Sequence, residues 1–185
     1  MNTVKKLITL ILLTFLFGCS GIQVSQDYDL STEYFGLRTY DWAPTMQQKN
    51  GDTEVNNSLL ENRIHTAVDR SLSEKGYQRD SQDTPDFYVG YQYKIRRKIE
   101  SDNVSTGIGF GLGSYSRRGG IGVSTGSGIT EYDQGILTID IIDVTDSSLM
   151  WRGIGTSRVS QHSSPETKTK QFNDMVEKIL DQFPP

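Results

Sequence analysis

Residues 134–157, QGILTIDIIDVTDSSLMWRGIGTS, form the stretch of sequence on which the fold depends. A dense apolar run ends at Val144, polar residues follow at 145–148, and a second apolar run begins at Leu149. Two runs rich in Ile, Val and Trp that flank a short polar segment are typical of a β-hairpin. We therefore predict a hairpin here, with Trp151 of its second arm in the protein core.

The first arm of this hairpin has the pattern of a central strand. Because side chains alternate across a strand, Leu137, Ile139 and Ile141 share one face. The opposite face is only half polar and carries Ile136, Thr138, Asp140 and Ile142. A strand with apolar residues on both faces is partly covered on both sides, so we place it in the middle of a sheet.

Three other segments have strand patterns: 22–30, 37–42 and 86–95. The last of them alternates strictly, which predicts a long strand with one buried face. Its end is crowded with basic residues, namely Lys94, Arg96, Arg97 and Lys98. These charges either protect an edge strand, which is the interpretation we favour, or contact anionic lipid headgroups or acidic glycan.

Two amphipathic helices are also predicted. Ser58 and Glu61 match a capping box and Gly76 supplies a stop, so the first helix covers 59–75. The second helix starts after Ser164, which has the position of an N-cap. Apolar stripes at helical spacing follow both starts: Leu60, Ile64, Ala67, Val68 and Leu72, and then Phe172, Met175, Val176, Ile179 and Phe183.

These elements predict an α+β fold, with a mostly antiparallel β-sheet and the two amphipathic helices packed on one face. The chain of 185 residues is long enough for one domain with a real core, and too short for two comfortable ones. We expect residues 19–185 to form that single domain.

The first residues have the pattern of a signal peptide. Lys5 and Lys6 precede an apolar run at 7–17. A transmembrane helix needs roughly 20 apolar residues, so a run of this length suits the h-region of a signal peptide better. We predict that residues 1–18 are removed.

The end of this segment, Leu16-Phe17-Gly18-Cys19, resembles the lipobox of bacterial lipoproteins, although Phe17 is larger than the residue preferred there. The resemblance implies that Cys19 becomes the mature N-terminus and carries diacylglycerol and palmitate. Several acyl chains on one residue give stable anchoring. Ser20, where an inner-membrane protein would usually have Asp, implies the outer membrane, on its periplasmic side. The alternative is an ordinary secretory signal with an incidental cysteine.

The charge of the mature chain argues against one class of partner. Removal of residues 1–18 leaves 17 basic and 23 acidic side chains, a net charge of −6. A modestly acidic protein is not a general nucleic-acid binder.

The segment 107–128 holds nine glycines and lacks the GxGxxG spacing of a phosphate-binding loop. We predict a flexible excursion between strands. It presents residue types enriched at interfaces, and these are our candidate contact residues: Phe110, Tyr115, Arg117 and Arg118. A tolerated excursion without function, a strand with a bare glycine face, and a segment that inserts into the membrane are the alternatives.

The sequence gives weak support for catalysis. His65 and His162 are the only histidines and lie in unrelated contexts, and the one cysteine is assigned to the lipid. A Ser/His/Asp triad could be assembled only by chance pairing with the many serines. Asp140, Asp143 and Asp146 suggest calcium, but the first two point to opposite faces of a strand and the third suits a turn. We expect no metal, no cofactor and no enzymatic activity.

Several short segments resemble a family of bacterial lipoproteins known as domain of unknown function 4136. They are 135–143, 149–153, Thr39-Tyr40-Asp41-Trp42, Gly76-Tyr77, Asp86-Phe87 and the terminal Phe183-Pro184-Pro185. The resemblance covers nearly all of the mature chain in order. It implies an α+β domain on a lipid anchor, without an established activity.

The sequence thus predicts a lipid-anchored cell-envelope lipoprotein that works as a non-enzymatic binding or accessory module. Its expected partners are the membrane, through the lipid, and other envelope proteins. The alternatives are an envelope hydrolase that acts on glycan or peptide, and a structural subunit of an envelope complex.

Overall fold

The computed structural model describes residues 21–44, 58–101, 129–160 and 162–185. The elements in these ranges, in chain order, are β1 Gln23–Tyr28, β2 Thr39–Trp42, α1 Ser58–Glu74, β3 Gln78–Arg79, β4 Phe87–Ser101, β5 Ile129–Asp143, β6 Leu149–Val159 and α2 Pro165–Leu180. Residues 1–18 and Cys19 lie outside the described residues. So does the glycine-rich segment with Phe110, Tyr115, Arg117 and Arg118.

The predicted hairpin is confirmed. β5 and β6 pair antiparallel from Asp133 opposite Val159 to Ile142 opposite Leu149. Aspartates organise the turn between them, because a short carboxylate can accept hydrogen bonds from nearby backbone amides. Asp143 accepts the N–H of Thr145 at 2.6 Å, and Asp146 accepts the N–H of Ser148 at 2.8 Å. The turn chemistry therefore sets the register of β5 and β6 next to the turn, and an irregularity between Ile141 and Ile142 shifts it by one residue over the rest of the hairpin.

The sheet has the strand order β1-β6-β5-β4-β2-β3, so β5 is central as predicted. The pairs among β1, β6, β5 and β4 are antiparallel, whereas β2 runs parallel to both β3 and β4. The sheet is thus mixed rather than purely antiparallel. The parallel pair is possible because α1 lies between β2 and β4 in the chain and carries it back to the same end of the sheet.

β4 pairs with β5 along its whole length, up to Ser101 opposite Ile129. On its other side it pairs with β2 only as far as Val89. Beyond Val89, no strand in the described ranges borders β4 on that side, which is where its basic part begins.

Both helices pack on the same face of the sheet, as predicted. Their buried side chains join Leu137, Ile139 and Ile141 in one hydrophobic cluster. The start of α2 is confirmed, since the Ser164 hydroxyl accepts the N–H of Thr167 at 3.2 Å. The stop of α1 is confirmed as well, because Gly76 takes a φ of +91°, a conformation that favours glycine.

Trp151 lies at the centre of this cluster and has no exposed surface. Its ring centroid is 5.3 Å from that of Phe183, which follows α2. Its Nε1–H donates to Gln26 Oε1 on β1 at 2.9 Å. Neither described helix is both long and apolar enough to cross a membrane.

Candidate functional site

Trp42, His65 and Tyr91 form an aromatic cluster on the helix-covered side of the sheet. The indole and the imidazole are stacked, with 3.7 Å between ring centroids and 12° between planes. The Tyr91 ring stands edge-on to both, at 6.0 Å from Trp42 and 5.6 Å from His65. All three side chains are half-buried. Aromatic rings with one wet edge are residue types enriched at binding surfaces, so we define these three residues as the aromatic cluster.

Three separate elements build the aromatic cluster. Trp42 pairs with Val89 in the parallel register of β2 and β4. Tyr91 lies two residues further along β4, so its side chain is on the same face as that of Val89. The register is continued by the N–H of Ala43, which donates to the carbonyl of Val89 at 2.9 Å. α1 then brings His65 over the indole. The sequence did not reveal this cluster because no local sequence pattern indicates that β2 and β4 are parallel neighbours.

The polar atoms of the aromatic cluster are poorly solvated. Burial lowers the pKa of His65, and Glu61 and Asp69 only partly oppose this effect. Nε1 of Trp42 is buried and has no hydrogen-bond partner in the described part of the chain. A donor of this kind gains from any acceptor that a bound molecule brings.

Neighbouring charged groups are already held in contacts of their own. The hydroxyl of Tyr40 donates to Asp69 Oδ1 at 2.8 Å, and burial raises the pKa of that tyrosine. Arg79 lies 3.0 Å from Asp41 and 3.9 Å from Asp69. Asp69 therefore interacts with a phenol and a guanidinium. It does not serve as the partner that would orient an imidazole for catalysis.

The aspartates of the hairpin are held separately. Asp140 is buried and accepts two hydrogen bonds from Arg152, at 2.6 and 2.8 Å, on the face of the sheet away from the helices. These hydrogen bonds raise the pKa of the guanidinium. Asp143 and Asp146 bind turn amides instead, as the position of Asp146 suggested. Across residues 21–44, 58–101, 129–160 and 162–185, no group of three or more His, Cys, Asp or Glu could hold a metal ion.

The two histidines also lie in different surroundings. His65 is part of the aromatic cluster, whereas His162 is exposed in the connection between β6 and α2. The geometry gives neither of them a nearby nucleophile among the contacts described above.

The family model described as "Domain of unknown function (DUF4136)" matches residues 24–185. The protein belongs to the DUF4136 family. The match begins within β1 and includes every later element, so the resemblance of the short segments is confirmed.

Three solved structures are similar to this DUF4136 chain, and the first of them agrees with it in fold. A PDZ domain protein from Parabacteroides distasonis ATCC 8503 has a TM-score of 0.54 and 12% sequence identity, and the match covers 96% of the DUF4136 chain but only 40% of the other chain. Two PelC dodecamer structures from Paraburkholderia phytofirmans have TM-scores of 0.46 and 0.43 and identities of 11% and 12%. Each covers 86% of the DUF4136 chain, and 94% and 95% of their own chains are matched. No curated protein matches the DUF4136 sequence.

The lowered pKa of His65 predicts a specific dependence of stability on pH. Below the unfolded pKa of about 6.5 the unfolded chain takes up a proton more readily than the folded chain. The stability that neutral His65 contributes is therefore fully present above that pH. It is lost as the pH falls through the pKa of His65 in the folded chain. In the DUF4136 chain we expect the urea midpoint to fall more between pH 7.5 and 5.5 in the wild type than in His65→Phe, which keeps a ring against Trp42.

The control for this experiment is His162→Gln, which changes an exposed histidine and should keep the wild-type dependence. All three proteins keep the same set of carboxylates, so the difference between the slopes reports on His65. Equal slopes in the wild type and His65→Phe would contradict the prediction.

Proposed function

We propose that this protein is a lipid-anchored lipoprotein of the cell envelope whose folded domain is a non-enzymatic binding or accessory module. The observation that carries the proposal is the position of β1. It begins at Gln23, four residues after Cys19, and it is a strand of the sheet rather than a linker. A lipid on Cys19 would hold a folded β-sheet directly at the membrane, which suits a protein that acts there.

The destination follows from the residue after the cysteine. Ser20 is not the Asp that usually retains a lipoprotein in the inner membrane, so we assign the protein to the outer membrane, on its periplasmic side. This assignment rests on the sequence signal.

The contacts of the described side chains favour binding over catalysis. An acid–base catalyst needs a group directed at the substrate and free to exchange a proton. His65 is stacked on an indole, Asp69 is engaged by Tyr40 and Arg79, and Asp140 is paired with Arg152. The aromatic cluster offers what a binding site needs, namely half-buried rings and a donor that lacks a partner.

The lipid anchor is tested by Cys19→Ser. The wild type should sediment with outer membranes, and mass spectrometry should find an acylated Cys19 at the mature N-terminus. We expect the variant to be absent from the membrane fraction, because without the thiol no diacylglycerol can be attached. Its unfolding midpoint should be unchanged, since Cys19 precedes the first strand.

Ser20→Asp is the matched control: it keeps the lipid and should move the protein to the inner membrane. An unmodified thiol, or cleavage at another bond, would contradict the anchor. Loss of a measured hydrolase activity in His65→Ala or His162→Ala would contradict the non-enzymatic part and favour the envelope hydrolase.

A further inference from the structure

The strand registers align the ends of β4, β5 and β6 with the start of β1. Residues that pair across neighbouring strands form three successive rows toward the end of the sheet where β4 finishes. The first row is Gln23, Thr156, Ile136 and Lys94. The second is Arg158, Gln134 and Arg96, and the third is Tyr132 and Lys98. The chain therefore enters the sheet at the same end at which the basic residues of β4 lie.

Four cations share one face of these rows. Lys94, Arg96 and Lys98 alternate with residues such as Tyr93 that face the helices, so they lie on the opposite face. Arg158 of β6 is on that face too, where its guanidinium carbon lies 4.1 Å from the ring centroid of Tyr132. All four are exposed, and the described side chains of the three rows include no acid. We define Lys94, Arg96, Lys98, Arg158 and Tyr132 as the basic end.

The opposite end of the sheet is acidic. Asp29 follows β1, Asp86 precedes β4, and Asp146 lies in the turn after β5. Hydrogen bonds from Ser31, Thr39 and Ser148, respectively, lower the pKa of these three carboxyl groups and keep them charged. Three charged carboxylates thus lie at the end of the sheet opposite the basic end.

Protection of an edge strand does not explain this arrangement completely. It accounts for the charges on β4, which no strand in the described ranges borders on that side beyond Val89. It gives no reason for Arg158 of β6 and Tyr132 of the central β5 to join them on the same face. A surface that spans three strands is better explained by a common anionic partner.

The predicted lipid can reach the level of the basic end. On β4 the row of Gln23 contains Lys94, and Lys98 lies four residues further along, about 13 Å away at the usual rise per residue. From Gln23 back to Cys19 is also four residues, which span at most about 14 Å. An acylated Cys19 can therefore reach the level of Lys98, so the two can meet one membrane surface together.

We propose that the basic end docks on anionic phospholipid headgroups of the bilayer that holds Cys19. This inference rests on the proposed lipid anchor. The guanidinium group of Arg96 can bind a phosphate through two hydrogen bonds, Lys94 and Lys98 add positive charge beside it, and Tyr132 is amphipathic like the residues found at membrane interfaces. Docking would hold the opposite end of the sheet, with Asp29, Asp86 and Asp146, away from the bilayer.

The test uses the lipidated protein, reconstituted in vesicles that contain a headgroup-linked quencher. Acylation blocks Cys19, so one new cysteine can carry a fluorophore: Glu131→Cys beside the basic end, or Thr145→Cys in the far turn, both at exposed positions. Vesicles of equal phosphatidylcholine and phosphatidylglycerol should quench the Glu131→Cys probe several-fold more than the Thr145→Cys probe. In phosphatidylcholine alone, or in about 1 M salt where the Debye length is roughly 3 Å, that difference should be lost.

A charge-reversal variant, Lys94→Glu with Arg96→Glu and Lys98→Glu, should reduce quenching in the mixed vesicles to the phosphatidylcholine level. The matched control reverses three exposed cations elsewhere, Arg70, Lys75 and Lys170, with the same change of net charge and no loss of quenching. Unchanged quenching in the first variant would overturn the docking.

Flotation with the vesicles separates the two proposals. A protein that does not float with either vesicle overturns the lipid anchor and the docking with it. If the protein floats with the vesicles but quenching of the Glu131→Cys probe does not depend on phosphatidylglycerol, the docking alone is overturned. Shielding of the Glu131→Cys probe by a soluble acidic polysaccharide, without an effect of lipid, overturns it in favour of a glycan partner.

Discussion

Replacement of Trp151 by alanine is expected to lower the free energy of unfolding by about 3–5 kcal/mol. The indole has no exposed surface and packs 5.3 Å from Phe183, so its removal leaves a cavity between the sheet and the end of α2. It also leaves Gln26 without the Nε1–H that it accepts. Urea unfolding followed by circular dichroism measures the loss.

Two controls divide this effect into its parts. Trp151→Phe keeps most of the apolar volume and should cost less than the alanine variant. Leu149→Ala removes a side chain from the same strand that is 43% exposed, and it should change the midpoint little. An unchanged midpoint in Trp151→Ala would mean that the indole is exposed in solution, and would make it a candidate binding anchor.

The second large effect is expected for Gly153→Ala, at about 1–3 kcal/mol of destabilisation. A Cβ at this position would overlap both Cη2 of Trp151 and Cγ2 of Ile179. Both side chains are fully buried, so neither can swing into solvent to make room. The missing side chain is what allows α2 to approach β6 closely, and a single methyl group should push the two apart.

Gly21→Ala is the matched control, because an added Cβ there has no atom within 4 Å. A second experiment asks whether the overlap itself is the cause. Trp151→Phe removes Cη2, so Gly153→Ala should cost less in that background than alone. Equal costs in the two backgrounds would show that Trp151 is not what the methyl group meets.

The sequence alone determined the elements whose signals are local. The hairpin was readable because apolar alternation and turn residues lie side by side between Gln134 and Ser157. The helices were readable because capping residues lie next to the apolar stripes in the sequence. Ser164 comes before the stripe of α2, and Gly76 follows that of α1. The pair of Asp140 and Arg152 was not readable in the same way, because an irregularity between Ile141 and Ile142 shifts by one residue the register that the turn alone would give.

Only the tertiary structure decided which strands became neighbours. The crossover through α1 made β2 a parallel partner of β4, and this pairing assembled Trp42, His65 and Tyr91. Strand order likewise brought Arg158 to the face that carries the basic residues of β4. Such contacts join residues far apart in the chain, and their formation depends on how the helices and the sheet bury their apolar faces together. Local periodicity specifies each face, but the choice of partner is made by the packed core.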